Sequence, residues 1–142
     1  MSEGQENTHR KGGCLCGAVR YEIRGEPRQV IACHCGQCQK SHGNFAAYTR
    51  VPLEGFTLTA QEGLKWYRSS ETARRGFCRH CGSSLFLELL DVGDISVAAG
   101  SIDPPSRLVT IRHIFTADKG DYYEIADGLE QLSAGQGAAK PL

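Results

Sequence analysis

Gly76-Phe77-Cys78-Arg79-His80-Cys81-Gly82-Ser83-Ser84-Leu85-Phe86 holds a C-x-x-C pair, closed by glycine and set between two runs that read as short strands. A tight turn of this kind aims two sulfurs at one point, and the glycine permits a backbone shape that other residues resist. Far upstream, Cys14-Leu15-Cys16-Gly17 repeats the device as a C-x-C pair. Together the pairs supply four thiolates, so one tetrahedral zinc would pin the first strand to the middle of the chain. Buried, unligated cysteine and a redox C-x-x-C are the competing readings. A thioredoxin-like role needs a β-α-β pattern around Cys78, which this sequence lacks. Cys14, Cys16, Cys78 and Cys81 are therefore expected to hold a structural zinc.

Outward from these knuckles the apolar residues alternate. Val19, Tyr21 and Ile23 interleave with Ala18, Arg20 and Glu22, the period of a half-buried strand. Further strands are expected near 29–33, 45–51, 56–60, 64–68, 73–77, 84–90, 95–99 and 109–115. Glycine and proline mark the loops between many of them, at Gly25 to Pro27, Pro52 to Gly55 and Asp103 to Pro105 among others. No segment offers an amphipathic helix of three turns, although Gln37 to His42 can form a single turn. The pattern predicts a mainly β fold. At 142 residues the chain fits one core. The domain is expected over 12–132, between a mobile N-terminal segment, 1–11, and a mobile C-terminal tail, 133–142, both lacking periodic apolar residues.

Sixteen basic and 16 acidic side chains cancel formally. Seven thiolates and two zinc ions would move that balance to about minus three. Such a charge argues against a general affinity for nucleic acid phosphates or anionic membranes. Met1 to Arg10 is polar, without the apolar stretch of a secretory signal, and no run approaches the ~20 apolar residues of a membrane span. A cytoplasmic protein is expected, and in that reducing compartment seven cysteines read as metal or redox chemistry rather than disulfides.

The remaining three thiols are packed into Cys33-His34-Cys35-Gly36-Gln37-Cys38. One loop can wrap all three sulfurs around an ion, leaving a fourth position for water or substrate, the usual mark of a catalytic site. Three thiolates donate so much electron density that zinc there should activate water poorly while still binding a soft thiolate. An incoming thiol would lose its proton and stay nucleophilic, so thiol chemistry is a better inference than hydrolysis. The alternative is a second closed site, completed by His34, His42 or a distant residue. His42 follows Cys38 at a spacing of four, within the zinc-finger range, whereas His34, flanked by two ligands, more easily points away.

The order C-x-C, C-H-C-x-x-C and C-x-x-C-G-S-S-L-F, followed by Arg112-His113-Ile114-Phe115 and Tyr123-Glu124-Ile125, resembles the glutathione-dependent formaldehyde-activating enzyme family, which includes centromere protein V-like proteins. The resemblance runs in order from Gly12 to Ile125. It implies a β-tent fold of short antiparallel sheets, a structural zinc on Cys14, Cys16, Cys78 and Cys81, and an active-site zinc on Cys33, Cys35 and Cys38. The activity it implies is a carbon-sulfur lyase reaction that joins glutathione to formaldehyde as S-hydroxymethylglutathione. Gln39-Lys40 stands where relatives often have Arg-Lys, and Tyr122 where Trp commonly precedes Tyr-Glu-Ile.

On this reading the cofactors are two zinc ions per chain, and the partners are a small thiol, with glutathione as co-substrate, and a small aldehyde. No nucleic acid or membrane partner is expected, and a homo-oligomer is compatible with the sequence. Addition to a carbonyl needs a proton for the new alkoxide, and His34, His42, His113 and Tyr48 are candidate donors by residue type. Arg68, Arg74, Arg75 and Arg79 surround the Cys78 knuckle and could meet the carboxylates of glutathione, although arginine runs are usually solvated faces. Trp66, Phe56 and Leu58 read as core. A non-catalytic zinc module with two closed sites is the rival to an enzyme, and a redox sensor that releases zinc on oxidation is a third reading.

Overall fold

Val19, Tyr21 and Ile23 are all buried, while Arg20 and Glu22 on the alternate positions keep contact with solvent. That alternation turns one face of the first hairpin inward and sets the core. The fold is described here from a computed structural model over residues 8–135. In chain order its strands are β1 (His9–Gly13), β2 (Arg20–Arg24), β3 (Arg28–Cys33), β4 (Ala46–Pro52), β5 (Phe56–Ala60), β6 (Leu64–Arg68), β7 (Ala73–Cys78), β8 (Ser84–Leu89), β9 (Asp94–Ala98), β10 (Thr110–Ile114) and β11 (Glu130–Gln131). One helix, α1 (Gly36–His42), lies between β3 and β4.

The strands form a three-stranded sheet, β1-β2-β5, and an eight-stranded sheet, β11-β10-β3-β4-β9-β8-β7-β6. Between them lies the main core, where Val19, Tyr21 and Ile23 meet Val51, Leu85, Phe86, Ile95 and Val97. Tyr21 packs edge-on to Phe86 at 5.5 Å and stacks on Phe56 at 5.6 Å, while its hydroxyl bonds Ser101 Oγ at 2.6 Å. A buried phenol needs such a partner, so Tyr21 fills the core without leaving a polar atom unsatisfied. Trp66, Phe56 and Leu58 pack against this cluster as expected. Among the described residues no helix is long and apolar enough to cross a membrane.

The mainly β architecture matches the expectation, with four differences. β1 was hidden in a polar stretch, because its order comes from pairing with β2 and from Arg10, which is buried and donates to the Ser106 carbonyl at 2.7 Å. The expected start at residue 12 therefore falls inside a strand. β10 runs parallel to both β3 and β11, so the larger sheet is mixed rather than purely antiparallel. Third, α1 is seven residues long, nearly two turns, because Cys35 Sγ accepts from the Cys38 amide and Gly43 closes the far end in a left-handed conformation. Finally, the chain past 132 is held by backbone bonds from Phe115 and Ala117 to the carbonyls of Ala134 and Ser133, so the expected tail boundary falls within paired backbone. The remainder of both expected mobile segments, 1–7 and 136–142, lies outside the described residues.

Candidate metal centres

Each glycine-closed knuckle folds back on its own sulfur. Val19 donates its amide to Cys14 Sγ at 3.2 Å, and the Cys81 amide reaches Cys78 Sγ at 3.5 Å. Gly17 and Gly82, with φ of 86° and 80°, take the left-handed turn that a side chain would resist. Ser83 latches the knuckles together, accepting from the Leu15 amide at 3.1 Å while its hydroxyl lies 3.2 Å from Cys81 Sγ. The hydroxyl and amide of Ser83 bring the Cys81 thiol down to about 5.

The sulfurs of Cys14, Cys16, Cys78 and Cys81 lie within 4.8 Å of one another. Cys14 to Cys16 and Cys16 to Cys78 are both 3.7 Å. A disulfide requires about 2.05 Å. Tetrahedral zinc with bonds of about 2.3 Å requires its sulfurs to stand about 3.8 Å apart. The donors thus fit that ion and not a covalent pair, and with four sulfurs they leave it no vacant position.

The second group is built at the end of β3. Cys33 closes the strand, Cys35 caps α1, and Cys38 is buried in its first turn, so a strand end and a helix start aim three sulfurs at one point. Those sulfurs also lie within 4.8 Å of one another. Without a cation three crowded thiols share few charges. Hydrogen bonding from Cys33, then Cys38, holds Cys35 far below an ordinary thiol, while contact with Cys35 and Cys38 and burial push Cys33 up. A divalent ion would remove that conflict by binding all three as thiolates.

Neither candidate histidine joins this group among the described residues. His42 Nε2 meets the Tyr48 hydroxyl at 2.9 Å. His34 is fully buried and turned away, with Nδ1 3.1 Å from the Tyr123 hydroxyl and Nε2 2.9 Å from His113 Nδ1. His113 Nε2 completes the chain at 2.8 Å from Asp127 Oδ2. The parallel pairing of β10 with β3, His113 beside Ala32, is what brings these rings together.

The three sulfurs open on a cavity of about 330 Å³ that also involves Tyr48, Arg75, Arg28 and Arg50. Arg75 donates to the Tyr48 hydroxyl at 3.2 Å and points its other terminal nitrogen at Cys38 Sγ, 3.7 Å away. The other arginines expected here do different work. Arg74 lies over the Trp66 ring and pairs with Glu88, Arg68 binds the backbone carbonyls of Ser70 and Glu71, and Arg79 is exposed. Sequence reasoning missed Arg28, Arg50 and Asp127. Arg28 opens β3 just before the expected strand and Arg50 lies between Thr49 and Val51 in β4, and neither position marks itself as buried from sequence. Asp127 sits in irregular chain and leaves no signal either.

A family model described as "Glutathione-dependent formaldehyde-activating enzyme" matches residues 9–118, which include all seven cysteines but end before Tyr123. An uncharacterized lyase of Schizosaccharomyces pombe is 29% identical over 82 residues, 54% of this chain, and this chain spans 55% of that relative's length. A Halomonas elongata protein provisionally named glutathione-dependent formaldehyde-activating enzyme is 26% identical over 129 residues, covering 81% of this chain and 80% of the relative. A crystal structure of a Rhodobacter sphaeroides protein, 26% identical, superposes with a TM-score of 0.52 over 70% of this chain and 97% of that one. A match that spans most of the described residues and both cysteine groups is decisive: the chain belongs to the glutathione-dependent formaldehyde-activating enzyme family.

Proposed function

We propose that the three-cysteine site joins a thiol, glutathione foremost, to formaldehyde or another small aldehyde, giving a hemithioacetal, which for formaldehyde is the S-hydroxymethyl thiol adduct. The observation that carries this reading is the three-sulfur group, short of a fourth donor among the described residues and facing a cavity. The site that the other four cysteines form already has four sulfur donors and serves as the structural centre. Zinc held by three thiolates, when bound, lowers the pKa of an incoming thiol at neutral pH and leaves its sulfur nucleophilic. Seven cysteines, all of them free thiols, suit the reducing cytoplasm.

The chain's own residues would do the rest. Arg75 places positive charge beside Cys38 and orients the Tyr48 hydroxyl by donating to its oxygen. Burial, then the charge of Cys38, raises Tyr48 above an ordinary phenol, so at neutral pH it keeps its proton. Of the four expected proton donors, His34 and His113 are spent on each other and on Tyr123 and Asp127. Tyr48, backed by His42, is the group left to protonate the alkoxide as the carbon-sulfur bond forms. The thiol proton leaves to solvent, His42 can resupply Tyr48, and the balance is one thiol added across one carbonyl.

The reaction is tested by following hydroxymethyl-thiol formation by proton NMR under conditions where the spontaneous rate is measured in parallel. Wild-type protein is expected to accelerate it, Cys35→Ser to abolish the acceleration, and Tyr48→Phe to lower it by roughly a hundredfold while thiol binding persists. A wild-type rate equal to the spontaneous one would sink the enzyme reading and favour a zinc-binding interaction module.

A further inference from the structure

Three guanidinium groups, those of Arg28, Arg50 and Arg75, surround the cavity that the sulfurs close. Two of them have an anion in reach. Arg50 Nε stands 2.9 Å from Asp94 Oδ2, and Arg75 points at Cys38 Sγ. Farther along the sheet Arg112 pairs with Glu130. Arg28 is the exception: it is 8% exposed and has no carboxylate partner among the described residues. Its Nε donates to the Gln29 carbonyl at 3.2 Å and its Nη2 to the Tyr48 carbonyl at 3.0 Å. These two bonds fix the position of a guanidinium that lines the cavity. Burial, then the charges of Arg50 and Arg112, lowers Arg28 to about 10, only partly offset by the more distant Asp94 carboxylate, which is itself paired with Arg50. Leaving a buried charge unpaired is costly, and a carboxylate is an anion that a guanidinium N–H binds in a strong, charge-assisted hydrogen bond.

Strand register gives the distance over which a ligand would reach. Tyr48 stands opposite Ile31, and Ala46 opposite Cys33. The carbonyl that Arg28 grips is therefore two residues along β4 from the level of Cys33, about 7 Å at the antiparallel rise. Successive Cα atoms are about 3.8 Å apart, so a cysteinyl sulfur and the carboxylate of the residue after it span a distance of this order. The same wall carries the apolar side chains of Ile31, Leu87 and Ile114, while the other two guanidiniums, of Arg50 and Arg75, already face Asp94 and Cys38.

We infer that Arg28 is a specificity-determining residue that docks the carboxylate of the thiol substrate, and that the substrate class is a peptide-like thiol whose acid lies one residue beyond its cysteinyl sulfur. This rests on the thiol reading of the cavity. The glycyl end of glutathione has that form, and its glutamyl end would then lie toward the cavity mouth, where both of its charges stay hydrated.

The test is calorimetric titration of the zinc-loaded protein with glutathione and with its glycyl monoethyl ester, in wild type and in Arg28→Gln. Wild type is expected to bind the free acid roughly tenfold to a hundredfold more tightly than the ester, the range for one charge-assisted pair. Arg28→Gln should bind acid and ester alike, at the wild-type affinity for the ester. Equal affinity of wild type for acid and ester overturns the Arg28 assignment while leaving the thiol site standing. Failure of wild type to bind either compound overturns both. Should Arg28→Gln not fold, the acid-to-ester ratio in wild type decides by itself.

Discussion

His34 sits between two thiols of the open group and commits both ring nitrogens elsewhere. Burial lowers it below an ordinary histidine, so the imidazole is neutral. Asp127, lowered chiefly by its bond from His113, is a carboxylate and accepts from Nε2 of that ring. The arrangement that keeps a single charge in this chain sends every proton the same way, from Tyr123 to His34 Nδ1, from His34 Nε2 to His113 Nδ1, and on to Asp127. Because the neighbouring residues of His34 carry the sulfurs, its anchorage holds the loop geometry. Long-range nitrogen-proton NMR should find both histidines protonated on Nε2, and a proton on His34 Nδ1 would contradict this polarity. His34→Gln is expected to weaken the second metal by roughly tenfold to a hundredfold, the usual cost of losing a group that orients a ligand, with the first metal retained. Equal loss of both metals would show that His34 supports the whole fold instead.

At the scale of elements, the two cysteine groups have different mechanical duties. Cys14 and Cys16 follow β1, while Cys78 ends β7 and Cys81 follows it, so the closed group ties the small sheet to the large one. Cys33, Cys35 and Cys38 belong to one strand end and its adjoining helix, so their ion would join neighbouring residues of one loop rather than two sheets. Cys14→Ser or Cys81→Ser is therefore expected to abolish cooperative folding, as lost structural zinc does in small domains. Cys35→Ser should keep the wild-type circular dichroism spectrum with one metal fewer, and equal collapse of all three variants would refute the division. The grouping of the cysteines was readable in the sequence, since spacing alone separates a two-pair group from a one-loop group. Strands with strict alternation, such as Arg20–Arg24, were readable too. β1 was not, because its residues are polar and, beyond its hairpin partner β2, its order depends on Ile102, Asp103 and Ser106, distant in sequence. Nor was the parallel entry of β10, which sequence period cannot distinguish from antiparallel pairing.

For the whole molecule, what matters is how the sheets converge on the open group. The large sheet brings β3, β4 and β10 side by side, so that the cysteine loop, Tyr48 and His113 arrive from three strands at neighbouring positions. Arg75 comes from β7, near the other side of the same sheet, and reaches Cys38 from there. A rigid frame of this sort can hold an ion with one position unfilled, which a free loop would close with whatever donor lay nearest. The direct measurement is zinc K-edge X-ray absorption on protein purified without oxygen, before and after glutathione is added. Four sulfurs on one ion and three on the other average about 3.5 per zinc, which glutathione should raise to about 4 as its own sulfur binds. A full shell before glutathione, completed by a protein nitrogen and unchanged after it, would contradict the account.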